Sequence, residues 1–317
     1  MHWVFDSNIS FEKRALRLFK EQSEKCLPYK QYLQLLKTNI SSISSIQEIP
    51  FLPIELFKSH PIIVDEKKPT ISFTSSGTTG MKNSHHLVAD LSIYEYSFRT
   101  AFELFYGDIE KYRFLALLPS YLEREGSSLI YMCKDLIKKS KHTQSGFYLN
   151  NLDELSKILK EDTPTILLGV TYALLELTEF GPFSLNNTII METGGMKGKR
   201  KEMLKEELHQ TLCNAYGVDL IHSEYGMTEL LSQAYSKGNG RFSTPHWMRV
   251  LSRNIEDPFS LIKNGKTGGL NIIDLANINS CAFIATQDLG RVYGDQSFEV
   301  LGRFEQSDIR GCNLLVQ

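Results

Sequence analysis

The sequence predicts an α/β fold in which helices cover a mainly parallel sheet, followed by a smaller antiparallel β unit. Three observations support this prediction. From about residue 90 to 220, apolar runs of strand length alternate with segments of helical spacing, which is typical of parallel βα units. After residue 240 the helical period disappears and short β-like runs are separated by Gly, Asn and Asp turns. Residues 10–37 instead carry apolar side chains at helical spacing.

Composition indicates an ordinary globular protein. The chain has 317 residues, of which 42% are hydrophobic, enough for a substantial core. Its 35 basic and 37 acidic side chains give a net charge of -2, which offers no electrostatic reason to expect nucleic acid or an anionic membrane as partner. The first residues lack the pattern of a signal peptide, and the longest apolar stretch, 165–175, is too short to span a bilayer. We therefore expect a cytoplasmic protein without a membrane span.

The N-terminal part is expected to form two helices within residues 10–37, with a break at Pro28. A proline-punctuated connection follows, and then short strands at 62–64 and 70–73. We predict that residues 1–60 form a helical segment that packs on the core.

Residues 61–240 are expected to form the α/β core. Ligands of such sheets bind at the carboxyl ends of the strands, where several polar, glycine-containing loops fall in this sequence. The predicted helices are 90–105, 127–139, 151–160, 171–178 and 199–212, and the predicted strands are 114–118, 147–149, 166–168 and 188–191.

Residues 241–317 are expected to form the β-rich subdomain, with β-like runs at 247–251, 270–274, 282–286 and 298–301. Five cysteines without a CxxC pair argue against a disulfide framework or a zinc site. Four of them lie within or beside segments patterned like packed elements. The fifth, Cys312, lies in Arg310-Gly311-Cys312-Asn313, near the end of the sequence.

A hydroxyl-rich and glycine-rich run follows the predicted strand at 70–73. Glycine permits positive φ and close approach of a ligand, so successive amide groups and hydroxyls can converge on a phosphate. The alternative is a polar surface turn, and the glycine spacing excludes a Walker loop. The run consists of Thr74, Ser75, Ser76, Gly77, Thr78, Thr79 and Gly80.

Three further loops carry candidate site residues. The segment 192–198 contains Gly194 and Gly195 after a predicted strand, and its alternative reading is a strand-to-helix turn. The segment 223–229 follows a predicted strand at 220–221 and offers a ring, a hydroxyl and a carboxylate, the groups that stack a base, touch a phosphate and hold magnesium. In the C-terminal β region, Asp288 and Arg303 supply an acid and a base.

In this order, the loops resemble those of the adenylate-forming superfamily of acyl-CoA synthetases, luciferases and related ligases, from about residue 70 onward. The run 74–80 is similar to its phosphate loop, and Tyr225-Gly226-Met227-Thr228-Glu229 to its aromatic-Gly-x-Thr-Glu motif. Asp288 resembles its ribose-binding aspartate, and Gly302-Arg303 the Gly-Arg at its hinge. The resemblance implies the fold of the superfamily's N-terminal domain, with the large mobile C-terminal domain absent.

The resemblance also implies roles for these residues. The loop 74–80 would hold the β- and γ-phosphates of ATP, Thr228 would contact the α-phosphate, and Glu229 would coordinate Mg²⁺. Tyr225 would stack on adenine beside Gly194 and Gly195. Asp288 would bind the ribose hydroxyls, with Arg303 nearby. His85, His86 and His222 are candidates for phosphate or carboxylate contact, with polar loop positions as the alternative.

Within the superfamily, the likeness is greatest to the LuxE-type acyl-protein synthetases. The helical N-terminal segment, the Thr193–Gly198 segment and the ending Gly302-Arg303-x7-Gly311-Cys312 carry it. The resemblance implies an acid-thiol ligase that activates a fatty acid as acyl-AMP and transfers the acyl group to Cys312. Independently of the resemblance, Arg310 is two residues away in sequence, and its charge would lower the pKa of that thiol if the guanidinium came within about 4 Å. The resemblance also implies delivery to an acyl-CoA or acyl-protein reductase or another acyl carrier.

Two alternatives remain open from the sequence. One is a carboxylate-CoA ligase of the phenylacetate type. The other is a non-catalytic nucleotide-binding subunit that anchors a partner.

Overall fold

The computed structural model describes residues 2–75, 82–118, 126–194 and 203–304. The chain divides into two compact units: the first contains the residues up to Glu66 together with those from His246 onward, and the second is Lys67–Pro245. The described residues form seven α-helices: α1 (Phe11–Lys25), α2 (Leu27–Leu35), α3 (Leu91–Tyr106), α4 (Ser128–Ser140), α5 (Leu152–Leu159), α6 (Thr171–Leu177) and α7 (Lys205–Tyr216).

The same residues form fourteen strands, several of them only two residues long. They are β1 (Leu52–Pro53), β2 (Ile71–Thr74), β3 (His85–Val88), β4 (Arg113–Leu117), β5 (Gly146–Phe147), β6 (Thr165–Val170), β7 (Thr188–Thr193), β8 (His222–Tyr225), β9 (Ala234–Ser236), β10 (Phe242–Ser243), β11 (Met248–Arg253), β12 (Thr267–Asp274), β13 (Phe283–Val292) and β14 (Phe298–Arg303). Within the described residues, no helix is both long and apolar enough to cross a membrane.

In the first unit, two helices pack on an antiparallel sheet. The order is β11-β12-β13-β14, and β1 pairs with β13 in parallel. Gln22 of α1 fixes the helix to the turn between β12 and β13, because its amide donates to the Asn277 carbonyl at 2.8 Å and accepts from the Ala282 amide at 2.9 Å. Pro28 lies in the first turn of α2, where its missing N–H costs nothing.

In the second unit, helices α3–α7 accompany a mainly parallel sheet. Strands β5, β4, β6, β7 and β8 run parallel in that order, and β9 and β10 extend the sheet in antiparallel fashion. Strands β2 and β3 form a separate hairpin. Every residue of β4 and β6 is buried, which explains why both strands are apolar after their first residues, Arg113 and Thr165.

The structure corrects several predicted elements. The break between the first two helices falls at Cys26, before Pro28. Residues 62–64 form no strand, and only Val64 makes an isolated bridge, to Cys26. Helix α7 begins at Lys205, six residues after the predicted start. Residues 220–221 lie outside any strand, and β8 instead covers 222–225, so residues 223–225 belong to a strand rather than a loop.

Candidate functional site

The β2–β3 hairpin presents the hydroxyl-rich run. Thr74 ends β2, and its amide donates to the Gly126 carbonyl at 2.8 Å. Ser75 makes two hydrogen bonds to Ser84. Its amide donates to the Ser84 carbonyl, and its hydroxyl accepts from the Ser84 amide at 2.9 Å. The first two residues of the run, Thr74 and Ser75, are therefore anchored, while the predicted phosphate-binding residues Ser76, Gly77, Thr78, Thr79 and Gly80 lie outside the described residues.

Gly126 requires glycine for two reasons. Its φ is +83°, and a Cβ there would lie 2.9 Å from Thr74 Oγ1. The glycine lets this backbone approach β2 closely.

The carboxyl ends of β7 and β8 lie side by side. In the parallel register Thr193 is the partner of Glu224, so the residues that follow, Gly194 and Tyr225, continue from adjacent strands. Gly194 has φ of +76°, a conformation that favours glycine. Gly195 lies outside the described residues.

The Tyr225–Glu229 motif begins in the last residue of β8. Tyr225 is 9% exposed, and its ring meets Phe242 edge-on at 5.8 Å between centroids. Gly226 follows, and a Cβ there would lie 2.5 Å from Glu224 Oε1. Glycine at this position lets the Glu224 carboxyl pack directly against the turn.

His86 joins the hairpin to this motif. It is fully buried in β3, and its Nδ1 donates to the Thr228 carbonyl over 2.9 Å. Burial lowers the pKa of His86 to about 4, so the ring is neutral at pH 7. The prediction that His86 is a polar loop residue is therefore wrong. His222 likewise lies in a strand, β8, near Tyr106, and its pKa is lowered to about 4 by burial and Lys237; His85 is exposed in β3.

Glu229, the predicted Mg²⁺ ligand, is 6% exposed. Mg²⁺ in phosphoryl-transfer sites is commonly held by one or two carboxylates together with substrate phosphates. Across the described parts of the chain, no cluster of three or more His, Cys, Asp or Glu side chains could hold a metal by itself.

Two buried carboxylates on β7 and β8 have opposite pKa shifts. Burial raises the pKa of Glu192, but His209 and Lys205, whose Nζ lies 3.2 Å from the carboxylate, outweigh it and hold the pKa at about 2. Burial raises the pKa of Glu224 to about 7, although the Thr193 hydroxyl donates to its Oε2 at 2.6 Å. The nearby charge of Glu192 adds to the increase. Glu192 is thus ionised at neutral pH, whereas Glu224 is close to half-protonated.

The first unit contains the other predicted pair. Asp288 and Arg303 face each other in the β13–β14 register, and Arg303 Nε lies 3.2 Å from Asp288 Oδ1. The Asp288 amide donates to Thr286 Oγ1 at 3.1 Å, and the buried guanidinium of Arg253 donates to the Thr286 carbonyl. Asp288 is therefore positioned by both its backbone and its ion pair.

The predicted residues are thus distributed as follows. The second unit contains Thr74, Ser75, Gly194, Tyr225, Gly226, Thr228 and Glu229; the first contains Asp288 and Arg303; Ser76–Gly80, Gly195, Arg310 and Cys312 lie outside the described residues. Sequence reasoning gave no role to Glu192, Lys205, His209 or Glu224. The available signal was a carboxylate near the end of each strand, two positions before a glycine.

Comparison with known proteins agrees with the predicted fold. The model of a family described as "Acyl-protein synthetase, LuxE" matches residues 127–317. No curated protein matches the chain significantly.

Solved structures of adenylate-forming ligases are similar to the chain. An open conformation of 2-hydroxyisobutyryl-CoA ligase in complex with 2-HIB-AMP and CoA superposes with a TM-score of 0.67 at 11% identity, covering 93% of this chain and 74% of that one. ATP-bound MatB from Rhodopseudomonas palustris gives a TM-score of 0.55 at 14% identity, covering 76% of this chain and 49% of that one. The matched region is thus about half the length of MatB. At these identities the likeness shows the fold, and the predicted adenylate-forming α/β fold is confirmed.

Proposed function

The chain belongs to the LuxE acyl-protein synthetase family, and from this we propose that it is an ATP-dependent ligase that activates a fatty acid and carries the acyl group on Cys312. In the first step a carboxylate oxygen attacks the α-phosphorus of ATP. The P–O bond to the β-phosphate breaks, giving acyl-AMP and pyrophosphate. In the second step the Cys312 thiolate attacks the activated carbonyl, the C–O bond to AMP breaks, and a thioester forms.

One hydrogen bond carries the proposal for the activation step: His86 Nδ1 to the Thr228 carbonyl. The transition state gathers negative charge on phosphoryl oxygens, and catalysis therefore depends on donors fixed in advance. His86 supports this requirement because it ties the hairpin that presents Thr74–Gly80 to the turn that contains Thr228 and Glu229. A neutral imidazole in a strand is a rigid link of fixed length.

The remaining assignments follow from residue chemistry. Glu229 would hold Mg²⁺, which supplies a counter-charge to the phosphates. The adenine would stack on the ring of Tyr225. It could also approach the backbone of Gly194, Gly195 and Gly226 closely, because glycine has no side chain. Asp288, held by Arg303, would accept hydrogen bonds from the ribose hydroxyls.

The cysteines support a carrier outside the packed elements. Among the described residues, Cys26, Cys133 and Cys281 are buried, and burial raises the pKa of each, for Cys26 to about 11. Cys213 is partly exposed, and burial with the nearby Asp219 raises its pKa as well. The thiolate is the nucleophilic form, so these four are poor acyl acceptors at neutral pH. Cys312, beside Arg310 in the sequence, is the proposed carrier, and a reductase or acyl carrier would take the acyl group from it.

A second candidate is a carboxylate-CoA ligase. The observation in its favour is the fold shared with 2-hydroxyisobutyryl-CoA ligase. Such an enzyme would release acyl-CoA and would not need Cys312.

The experiment for the activation step is ATP–pyrophosphate exchange with Mg²⁺ and saturated fatty acids of several lengths. Exchange that depends on the added acid supports the proposal. Absence of exchange with every acid would instead favour a non-catalytic nucleotide-binding subunit. Formation of acyl-CoA on addition of CoA, undiminished in Cys312→Ser, would favour the second candidate.

A further inference from the structure

Three buried polar side chains at the junction of β8 and β9 have unmet hydrogen-bonding capacity. Glu224 is 7% exposed, Gln233 5% and Tyr235 2%. Within the described chain, Gln233 Oε1 and Tyr235 Oη are buried without a hydrogen-bond partner. A buried polar atom left unpaired costs about 1–3 kcal/mol, so two such atoms in one place call for a physical reason.

These side chains form one group, which we call the β8–β9 cluster. Glu224 and Tyr235 are directly opposite in the antiparallel ladder, so their side chains are on the same face of the sheet. A Cβ on Gly226 would lie 2.5 Å from Glu224 Oε1 and 3.6 Å from Gln233 Cγ. The carboxyl of Glu224 and the side chain of Gln233 therefore both pack against the backbone of Gly226.

The cluster is rich in acceptors. Thr193 is the hydrogen-bond donor to Glu224 Oε2, and no hydrogen bond among the described residues involves Oε1. Gln233 Oε1 is a second acceptor, and the Tyr235 hydroxyl can donate or accept. The nearest Lys on α7, Lys205, pairs with Glu192 and not with Glu224. A group that donates hydrogen bonds would complete this arrangement.

Among the described residues, no cation is among the groups that shift the pKa of Glu224. The Glu224 charge contributes to a raised pKa of Tyr94 and Tyr106 on α3, Cys133 on α4 and Tyr235 on β9. Glu192 on β7 carries a like charge. An ammonium ligand could therefore donate to the Glu224 carboxylate, the Gln233 amide oxygen and the Tyr235 hydroxyl, and a hydroxyl ligand could donate to one of these acceptors.

The cluster adjoins the proposed reaction site. Glu224 precedes Tyr225 in sequence, and the cluster lies at the carboxyl end of a parallel strand, where ligands of α/β sheets bind. We propose that the β8–β9 cluster binds a hydrogen-bond-donating substituent, an ammonium or a hydroxyl group, on the carboxylic acid that the protein activates. This proposal rests on the proposed function and narrows its substrate to amino- or hydroxy-substituted acids.

The test compares decanoate with decanoates that carry a hydroxyl or an amino group at position 2, 3 or 10, by pyrophosphate exchange and by thermal shift without ATP. We expect at least one substituted acid to exceed decanoate at least tenfold in kcat/KM and to raise the Tm more. Tyr235→Phe and Gln233→Met should each reduce the ratio of kcat/KM for that acid to kcat/KM for decanoate about tenfold. Glu224→Gln should reduce an amino preference but retain a hydroxyl preference, which distinguishes the two substituents.

A matched control lies next to the cluster. The Tyr235 ring also lines a surface groove of about 460 Å³ with Phe105, Lys237 and Arg241. Lys237→Ser alters this groove outside the cluster and should leave the substituent preference unchanged. Equal use of all the acids, or a preference lost in Lys237→Ser and kept in Tyr235→Phe, would overturn the proposal and leave the proposed function standing. Failure of every acid in exchange would count against the proposed function, and the thermal shifts would then still decide whether the cluster selects a donor.

Discussion

The Thr193 hydroxyl donates a hydrogen bond of 2.6 Å to Glu224 across the adjacent parallel strands β7 and β8. This bond couples the two strand ends from which Gly194 and Tyr225 emerge. It also leaves the second carboxyl oxygen of Glu224 for another partner. The Thr193–Glu224 pair therefore has two proposed roles. It holds together the strand ends of the proposed nucleotide site, and it leaves one Glu224 oxygen to bind a substituent of the substrate acid.

The first prediction concerns Glu224→Gln and pH. The folded-state pKa of Glu224, about 7, is above its ordinary value of 4.5, so the folded state binds the proton more tightly. The resulting stability is present below pH 4.5 and is lost as pH rises through 7. One pKa unit corresponds to about 1.4 kcal/mol, so the difference between the two pKa values gives a loss of at most about 3 kcal/mol in the free energy of unfolding. Gln keeps an acceptor for Thr193, so Glu224→Gln should be more stable than wild type at pH 8 and similar at pH 5, measured by urea unfolding.

Glu192→Gln is the matched comparison and has the opposite sign. The folded-state pKa of Glu192, about 2, is below 4.5, so its stability is present above pH 4.5 and is lost as pH falls toward 2. We expect this variant to be less stable than wild type at pH 7. If both variants shift the free energy of unfolding in the same direction at pH 8, the claim that the pKa values of Glu192 and Glu224 are shifted in opposite directions is wrong.

The second prediction concerns His86→Phe. The substitution keeps a ring in the buried site but removes the donor to the Thr228 carbonyl. Loss of one hydrogen bond to the part-buried Thr228 carbonyl costs about 0.5–1.5 kcal/mol, and displacement of Thr228 should lower the rate of pyrophosphate exchange about 10- to 100-fold. His85→Phe, at the exposed neighbouring position, is the control and should keep wild-type exchange. Normal exchange in His86→Phe would show that the link does not position Thr228.

The third prediction concerns Gly226→Ala. The added Cβ would lie 2.5 Å from Glu224 Oε1, so the carboxyl or the turn must move. We expect a loss of stability of about 1–3 kcal/mol and reduced ATP binding, measured by unfolding and by calorimetry. Gly294→Ala, where no atom lies within 4 Å of the added Cβ, should leave both unchanged. Full stability and ATP affinity in Gly226→Ala would contradict the close packing of Glu224 against this turn.

Much of the fold could be predicted from the sequence because parallel βα units alternate in composition. Strands β4 and β6 are fully buried and read as apolar runs, and Gly226 marks the turn of the motif. Residues 223–225 were predicted as loop because their side chains are polar. In the structure they form most of β8, whose backbone pairs with β7 and β9.

The partners of the two buried carboxylates could not be predicted. Glu192 meets Lys205 and His209 only because α7 returns along the sheet, and no local pattern encodes such a contact. His86 looked like a loop residue because it stands in a polar run, yet the β2–β3 register turns it inward toward Thr228. The partners of Glu192 and the inward orientation of His86 thus both depend on packing between segments that are distant in sequence.

The central claim is that the activated acyl group moves to Cys312. The most direct measurement is peptide mass spectrometry of the protein after incubation with ATP, Mg²⁺ and the acid that gives the highest exchange. We expect a hydroxylamine-labile acyl group on the Cys312 peptide of wild type and of Cys213→Ser, and none on Cys312→Ser, which should retain pyrophosphate exchange. A stable protein-bound thioester in Cys312→Ser would contradict the assignment of the carrier.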